Sequence, residues 1–245
     1  MNAALHLLPV RTGAAAENMA LDFLLLQRYP GPAVPRFRHY EWRGPAFTFG
    51  FSQKIEFVRA NLPADETVDL CRRPTGGGIV DHRNDWTYAL VLPRGHPLYE
   101  ARATQSYRAV HECLAETLRA LGQPAEVKIA CEPGVSDPDL PGETLAKPGV
   151  CFQRAELYDV VNSATGAKIA GAAMKRNKHG QLFQGSIEKA SAGPVDWDDF
   201  AARFTAALGR ALGNEPLETP WPELHEDAVA GLTEQYSSAE WIAYR

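Results

Sequence analysis

The run Arg72-Arg73-Pro74-Thr75-Gly76-Gly77-Gly78-Ile79-Val80-Asp81-His82 concentrates anion-binding residue types in one short stretch. Its consecutive glycines strip side chains from a loop, so backbone N–H groups approach a ligand closely. The paired arginines offer cationic, bidentate-capable partners for a carboxylate, a phosphate or a phosphopantetheine group. This is neither the GxxxxGK-S/T phosphate loop nor the GxGxxG dinucleotide fingerprint, because no Lys-Ser/Thr follows and the glycine spacing differs. Glycines alone would mark a turn. With arginines before, His82 after and apolar strand-like segments on both sides, the run reads as a ligand loop. A second group of reactive residues is Cys151, following the Pro148-Gly149 turn, and Lys168, set among Gly166, Ala167, Ala170, Gly171, Ala172 and Ala173. Small residues of that kind are expected where a backbone passes close to a ligand. On spacing alone Cys151 stands no higher than an ordinary thiol, and Lys168 reads equally as a solvated turn lysine.

The elements that must position these residues are read from periodicity and turn chemistry. Ala14 to Tyr29 reads as a helix with Thr12 as N-cap and Pro30-Gly31-Pro32 as its stop. Residues 37–42 and 46–51 read as strands around the Arg43-Gly44-Pro45 turn. Residues 68–73 lead into the glycine loop, and the continuous apolar run 87–92, ended by Pro93, reads as a central strand. Residues 104–121 place Val110, Leu114, Leu118 and Leu121 at helical spacing. Glu132 to Pro148 is a Pro-, Gly- and acid-rich loop. Residues 157–162 and 168–173 make a hairpin, 181–187 add a strand, and 197–212 (Asp196 as N-cap) and 223–236 are closing helices. No repeat or low-complexity tract appears. The fold class is α+β, with mixed sheets and helices packed against them.

Composition narrows the function without naming it. A chain of 245 residues, 45% of them apolar, buries a large core as one domain. A net charge of -5 argues against general nucleic-acid binding, which wants a basic face. No apolar stretch is long enough to span a membrane, and the N-terminus lacks a basic-then-apolar signal pattern. The 4 cysteines, at 71, 113, 131 and 151, show no CxxC pairing, so neither a metal site nor a disulfide framework is indicated. Free thiols without a signal point to the reducing cytoplasm. Cys113 falls on the apolar side of its helix and Cys71 in a strand, so both read as packed small residues; Cys131 is open.

Several ordered stretches resemble the biotin/lipoate protein ligase superfamily, specifically its lipoate-protein ligase A and cysteine-dependent octanoyltransferase types. The glycine run resembles that family's R-R-x-S/T-G-G-G-x-V-x-H motif. Asn18-Met19-Ala20-Leu21-Asp22 resembles its N-M-A-x-D helix opening, and Thr48-Phe49-Gly50-Phe51-Ser52-Gln53 its S-x-G-x-x-Q turn, with Thr in place of Ser. Tyr158-Asp159-Val160-Val161 through Arg176 resembles its D-x-x-V and G-x-K-x-x-G-x-A-x-x-R segment. The resemblance implies a class II biotin/lipoate ligase-like catalytic domain, one unit over 1–245 with no separate accessory domain. Departures are Gln184 where the family commonly has His, Trp86 where Leu is usual, and Asp81 where a small or apolar residue is usual.

In the octanoyltransferase branch a Cys-Phe dipeptide sits where Cys151-Phe152 stands here, and its cysteine accepts the acyl chain. A lysine at the Lys168 position lowers that thiol's pKa. An unperturbed thiol, pKa about 8.5, is only slightly ionised at neutral pH. An ammonium about 4 Å away at an effective dielectric of ~20 supplies up to roughly 4 kcal/mol, and ~1.4 kcal/mol is one pKa unit. The resemblance thus implies Cys151 and Lys168 as catalytic residues. It implies Arg72, Arg73, Thr75, Gly76, Gly77, Gly78, Ile79, Val80, His82, Gly171 and Ala172 as substrate-binding residues. For His82 a general base, a loop-fixing hydrogen-bonder and plain structure are all open, the structural role being preferred. Lys175, Arg176 and Lys178 are either a solvated face or a docking patch for an acidic carrier.

Three readings follow. The first is transfer of an octanoyl group from acyl carrier protein, through a Cys151 thioester, to a lysine of a lipoyl domain or glycine-cleavage H protein, with no cofactor. The second is an ATP- and Mg2+-dependent lipoate or octanoate ligase working through an acyl-adenylate, with Cys151 incidental. The third is a non-catalytic acyl-binding protein. The Cys-Phe and lysine pairing favours the first.

Overall fold

A computed structural model describes residues 4–129 and 155–244. The first half comprises β1 (Ala4–Gly13), α1 (Ala15–Gln27), β2 (Arg36–Trp42), β3 (Ala46–Phe49), α2 (Ile55–Ala60), β4 (Asp69–Arg72), β5 (Ile79–Asp81) and β6 (Asp85–Pro93). Then come α3 (Pro97–Glu100), α4 (Ala103–Ala120), β7 (Ala125–Val127), β8 (Val160–Asn162), β9 (Lys168–Asn177) and β10 (Gly180–Glu188). The chain closes with α5 (Lys189–Ala192), α6 (Trp197–Leu212), β11 (Glu215–Glu218), α7 (Glu226–Ser237) and α8 (Ala239–Ile242). The architecture is α+β, as expected: a large mixed sheet ordered β11-β1-β2-β6-β10-β9-β8-β7 and a small one ordered β4-β3-β5.

The central strand β6 explains the layering. Trp86, Tyr88, Leu90 and Leu92 point to a core shared with α4 and α6, while Ala89 and Val91 point to a second core shared with α1 and α7. A strand buried on both faces needs apolar residues at every position, which is why this run is continuous and not alternating. The small sheet has its own core of Phe47, Phe49 and Ile79 against Ile55 and Val58 of α2. The glycine loop leaves this small sheet between β4 and β5 and lies over β9 and β10 of the large one.

Local chemistry sets the helix ends. Asp196 caps α6, its side chain accepting from the N–H groups of Asp198 and Asp199, and Gly213 ends it in the left-handed conformation. The first helix corrects its expected cap: α1 starts at Ala15 after Ala14, and Thr12 lies inside β1, donating to Glu41. Strands β1 and β11 have no counterpart among the sequence-derived elements. Pro9 and a register shift between Leu8 and Arg11 break the alternation of β1, and every residue of β11 is exposed, so neither carries the usual strand pattern. The last expected helix, 223–236, begins three residues later than expected, at Glu226.

Candidate active site

Strand register assembles the floor of a cavity on the α1 face of the large sheet. Gly171, Ser186, Thr87 and Tyr40 form one cross-strand row, and Ala173, Gln184, Ala89 and Arg38 the next. Residues in such rows share a face because side chains alternate with period two. The cavity holds about 490 Å³ of empty space, partly open to solvent, and its wall adds Met19 from α1, Thr48 from β3, and Arg73, Gly77, Val80 and His82 from the loop segment. Gly171 and Ala173 keep the floor low where a ligand would lie.

Lys168 enters this cavity with its side chain 8% exposed and its Nζ 2.7 Å from Asp159 Oδ2. Asp159, 1% exposed, also accepts from Tyr107 Oη at 2.5 Å and from the Glu156 N–H at 2.6 Å. Tyr107 Oη in turn accepts from the Ala172 N–H, tying α4 to β9. A Cβ on Gly171 would sit 2.8 Å from Lys168 Nζ, so the ammonium occupies the space glycine leaves open. Behind Asp159, Tyr158 adopts φ +67°, uncommon for a side-chain-bearing residue. Its carbonyl accepts from Nδ1 of the buried His111 at 2.8 Å. Burial lowers the His111 pKa to about 4, against the opposing pull of Asp159, so the ring is neutral with its proton on Nδ1.

The glycine loop is braced from within. Arg73 Nη2 donates to the carbonyls of Gly76 and Gly78, and its Nη1 to Thr48 Oγ1. Gln53 donates to the Gly77 carbonyl and the Gly50 N–H to that of Gly78. With these carbonyls turned inward, the loop offers its N–H edge to a ligand. Gly77 has φ +90°, which disfavours any side chain. A Cβ on Gly50 would stand 2.0 Å from the Gly77 carbonyl oxygen, so the loop rests directly on the Gly50 backbone.

Two polar chains hold the remaining walls. Thr75 Oγ1 donates to Gln184 Oε1 at 2.8 Å, and Gln184 Nε2 donates to Asp22 Oδ2 at 2.7 Å. Asp22 and Arg38 form a fully buried ion pair at 2.7 Å, which Tyr40 Oη joins. Burial pushes the Asp22 carboxyl up, opposed by Arg38, Gln184 and Tyr40. The second chain runs from Asp85 through His82 to Thr48, with 2.7 Å at each histidine nitrogen, and Trp42 stacks on the ring at 4.1 Å. Burial alone would raise Asp85; the charge of His82 and hydrogen bonds from His82, Ser186 and Thr87 outweigh it and hold this carboxyl below its ordinary value.

Of the residues expected at the site, the structure brings Arg73, Gly77, Val80, His82, Lys168, Gly171 and Ala172 to the cavity wall. Three of the expected residues lie off that wall. Arg72 is buried and donates to the carbonyls of Phe51, Gln53, Trp241 and Ile242; it ties the loop to α8 and does not face the cavity. Ile79 packs in the small core, because the strand alternation that turns Val80 to the cavity turns Ile79 away. Thr75 stands behind the wall on Gln184. Gly76 and Gly78 contribute the carbonyls gripped by Arg73. Ala172 faces the cavity with its backbone while its side chain packs toward α4, and Ala173 supplies the floor instead. Cys151 and Cys131 lie outside the described residues. Cys71 and Cys113 are buried in the two large cores, and burial pushes both thiols up, that of Cys113 to about 11.

Sequence reasoning missed Asp159, Tyr107, Thr48 and Asp22 as parts of the site. Asp22, Thr48 and Asp159 fall inside stretches already matched to family motifs, so a signal was present; Tyr107, on the amphipathic α4, had none. Gln184, noted only as a departure, is the pivot between the loop and α1.

A family model of the lipoyl protein ligase A/B catalytic domain matches residues 14–191, spanning every element of this site. The chain belongs to that family. Two relatives agree in name. The octanoyltransferase LipM of an Exiguobacterium species is 32% identical over 199 residues, 80% of this chain and 70% of its own. That of Bacillus cereus is 34% identical over 176 residues, 70% of this chain and 60% of its own. This chain therefore matches about three fifths to seven tenths of the relatives' length. In fold, it superposes on lipoate-protein ligase A bound with ATP at a TM-score of 0.72, with 18% identity, covering 98% of each chain. A chain from the bi-partite lipoate protein ligase and E2 lipoyl domain structure of Thermoplasma acidophilum gives 0.72 and 19%, covering 100% of this chain and 98% of that one. At those identities the likeness is one of fold. Within the lipoyl protein ligase A/B family, this site is built on a lysine held by a buried carboxylate opposite a glycine loop.

Proposed function

We propose that this protein is an octanoyltransferase that moves an octanoyl group from acyl carrier protein to a lysine of a lipoyl domain or of glycine-cleavage H protein. The observation that carries the reading is the Lys168 ammonium, fixed by Asp159 at 2.7 Å inside a cavity whose floor is Gly171 and Ala173. The relatives named octanoyltransferase LipM support it, as does the Cys151-Phe152 dipeptide in the sequence.

In this route the Cys151 thiolate attacks the carbonyl carbon of the carrier thioester. A new C–S bond forms, the carrier's C–S bond breaks, and the carrier thiolate takes up a proton. One thioester replaces another, so no ATP and no metal are consumed. In the second half, the neutral amine of the acceptor lysine attacks the enzyme thioester. The C–N bond forms, the Cys151 thiolate leaves, and the surplus amine proton passes to solvent. Lys168 serves both halves by stabilising thiolate and the developing oxyanion. The N–H edge of the glycine loop is the other available donor.

Intact mass after mixing with octanoyl-acyl carrier protein, without ATP, tests this. The expected result is a hydroxylamine-labile gain of one octanoyl group that Cys151→Ala abolishes. No adduct, followed by ATP- and octanoate-dependent acylation of a lipoyl domain, would make the chain a ligase. No activity in either assay would make it an acyl-binding protein.

A further inference from the structure

The β9–β10 hairpin and the connection from β6 to α4 meet at one end of the large sheet. Gly180 pairs with Pro93, Tyr99 Oη donates to the Asn177 carbonyl at 3.0 Å, and Arg176 Nη2 donates to the Ala101 carbonyl at 2.7 Å. The two segments so joined, 93–102 and 175–180, carry Arg94, Arg102, Lys175, Arg176 and Lys178, together with His96 and His179. Glu100 is their sole carboxylate, and it accepts from the Gly95 N–H. Arg94, Arg102, Arg176 and Lys178 are exposed. The whole chain carries 30 acidic against 25 basic residues, so an average patch would be slightly acidic, and this one is strongly cationic.

The patch abuts the site. Lys175 Nζ reaches the Pro74 carbonyl of the loop at 3.2 Å, and β9 runs without a break from Ala173 in the cavity floor to Asn177, next to Lys178. From Ala173 to Asn177 the extended strand spans about 13 Å.

We propose that this surface receives the acidic face of an acyl carrier protein, whose thioester-bearing phosphopantetheine arm then lies along β9 into the cavity. The proposal rests on the transferase reading. It places the donor's protein part at the sheet end, away from Lys168, and leaves the cavity to the arm and its acyl chain. Charges at such a rim govern encounter rate and orientation, and salt weakens them.

The test compares two donors that share the reacting thioester. Arg94→Ser, Arg102→Ser and Lys178→Ser are combined, keeping Arg176 because it bonds Ala101 and Gln181. With octanoyl-acyl carrier protein, kcat/KM is expected to fall about tenfold and to lose most of its salt dependence. With octanoyl-pantetheine, which has no protein part, it is expected to stay unchanged. Lys178→Glu alone, at the exposed hairpin tip, should shift the carrier value in the same direction if the triple variant is poorly folded. Equal activity with the carrier overturns the proposal. So does an equal loss with both donors, or a change confined to the acceptor's KM. A wild-type enzyme that accepts neither thioester fails the transferase reading itself, an outcome visible before any variant is made.

Discussion

Asp159→Asn tests what holds Lys168 in place. At 2.7 Å and an effective dielectric of about 20, the gross attraction between the two charges is roughly 6 kcal/mol. Much of that offsets the cost of taking both groups out of water, but the substitution does not recover the offset. It leaves the Lys168 ammonium buried with the Asp159 counter-charge gone, and breaking one half of such a pair costs about 3–5 kcal/mol. Asparagine keeps an acceptor for Tyr107 but turns an amide donor toward the Glu156 N–H, so the loss combines the charge with that one hydrogen bond. Urea unfolding at neutral pH gives the stability, and octanoyl transfer measured on the same samples gives the rate. Asp159→Asn is expected to lose about 3–5 kcal/mol and nearly all transfer. Adding Lys168→Met should restore stability by about 1–3 kcal/mol while leaving transfer absent, since neighbours in one pair are non-additive. If Asp159→Asn unfolds within about 0.5 kcal/mol of wild type and still transfers, the pair does not position Lys168.

Three further outcomes are expected. His111 has its pKa lowered to about 4 by burial, against 6.5 unfolded, so below pH 6.5 the unfolded chain binds a proton that the native state refuses. Stability is therefore independent of this group above 6.5 and declines by about 3 kcal/mol as pH falls to 4, a slope that His111→Asn should flatten in unfolding curves at stepped pH. Gly50→Ala, whose methyl would meet the Gly77 carbonyl at 2.0 Å, should displace the loop and abolish acyl transfer, whereas Gly76→Ala, with no described atom within 4 Å of its methyl, should keep a native thermal midpoint. Arg72→Met removes the donor from four carbonyls, that of buried Gln53 among them, and should cost about 2–4 kcal/mol, with α8 released to proteolysis; a stable, protease-resistant variant would contradict the tie between loop and α8.

Much of this protein is legible without coordinates. The α+β class, the central strand, the long amphipathic helix, the β8–β9 hairpin and the Asp196 cap all follow from local periodicity and turn chemistry, which act between residues close in the chain. Lys168 and the glycine loop stand out for the same reason: small residues crowded around a charge, and arginines beside glycines, are patterns of composition. What the tertiary structure alone decided is direction and partnership. Arg72 and Arg73 are neighbours in sequence, yet strand alternation sends one to α8 and the other beneath the loop. The same alternation separates Ile79 from Val80 and Ala172 from Ala173. Asp159 finds Tyr107 across 52 positions and Gln184 finds Asp22 across 162, distances over which no local pattern carries information. Sequence determined which residues are equipped for acyl chemistry; packing decided which of them face the cavity and which hold the others still, because a side chain's orientation is set by the element it sits on and the neighbours that element finds.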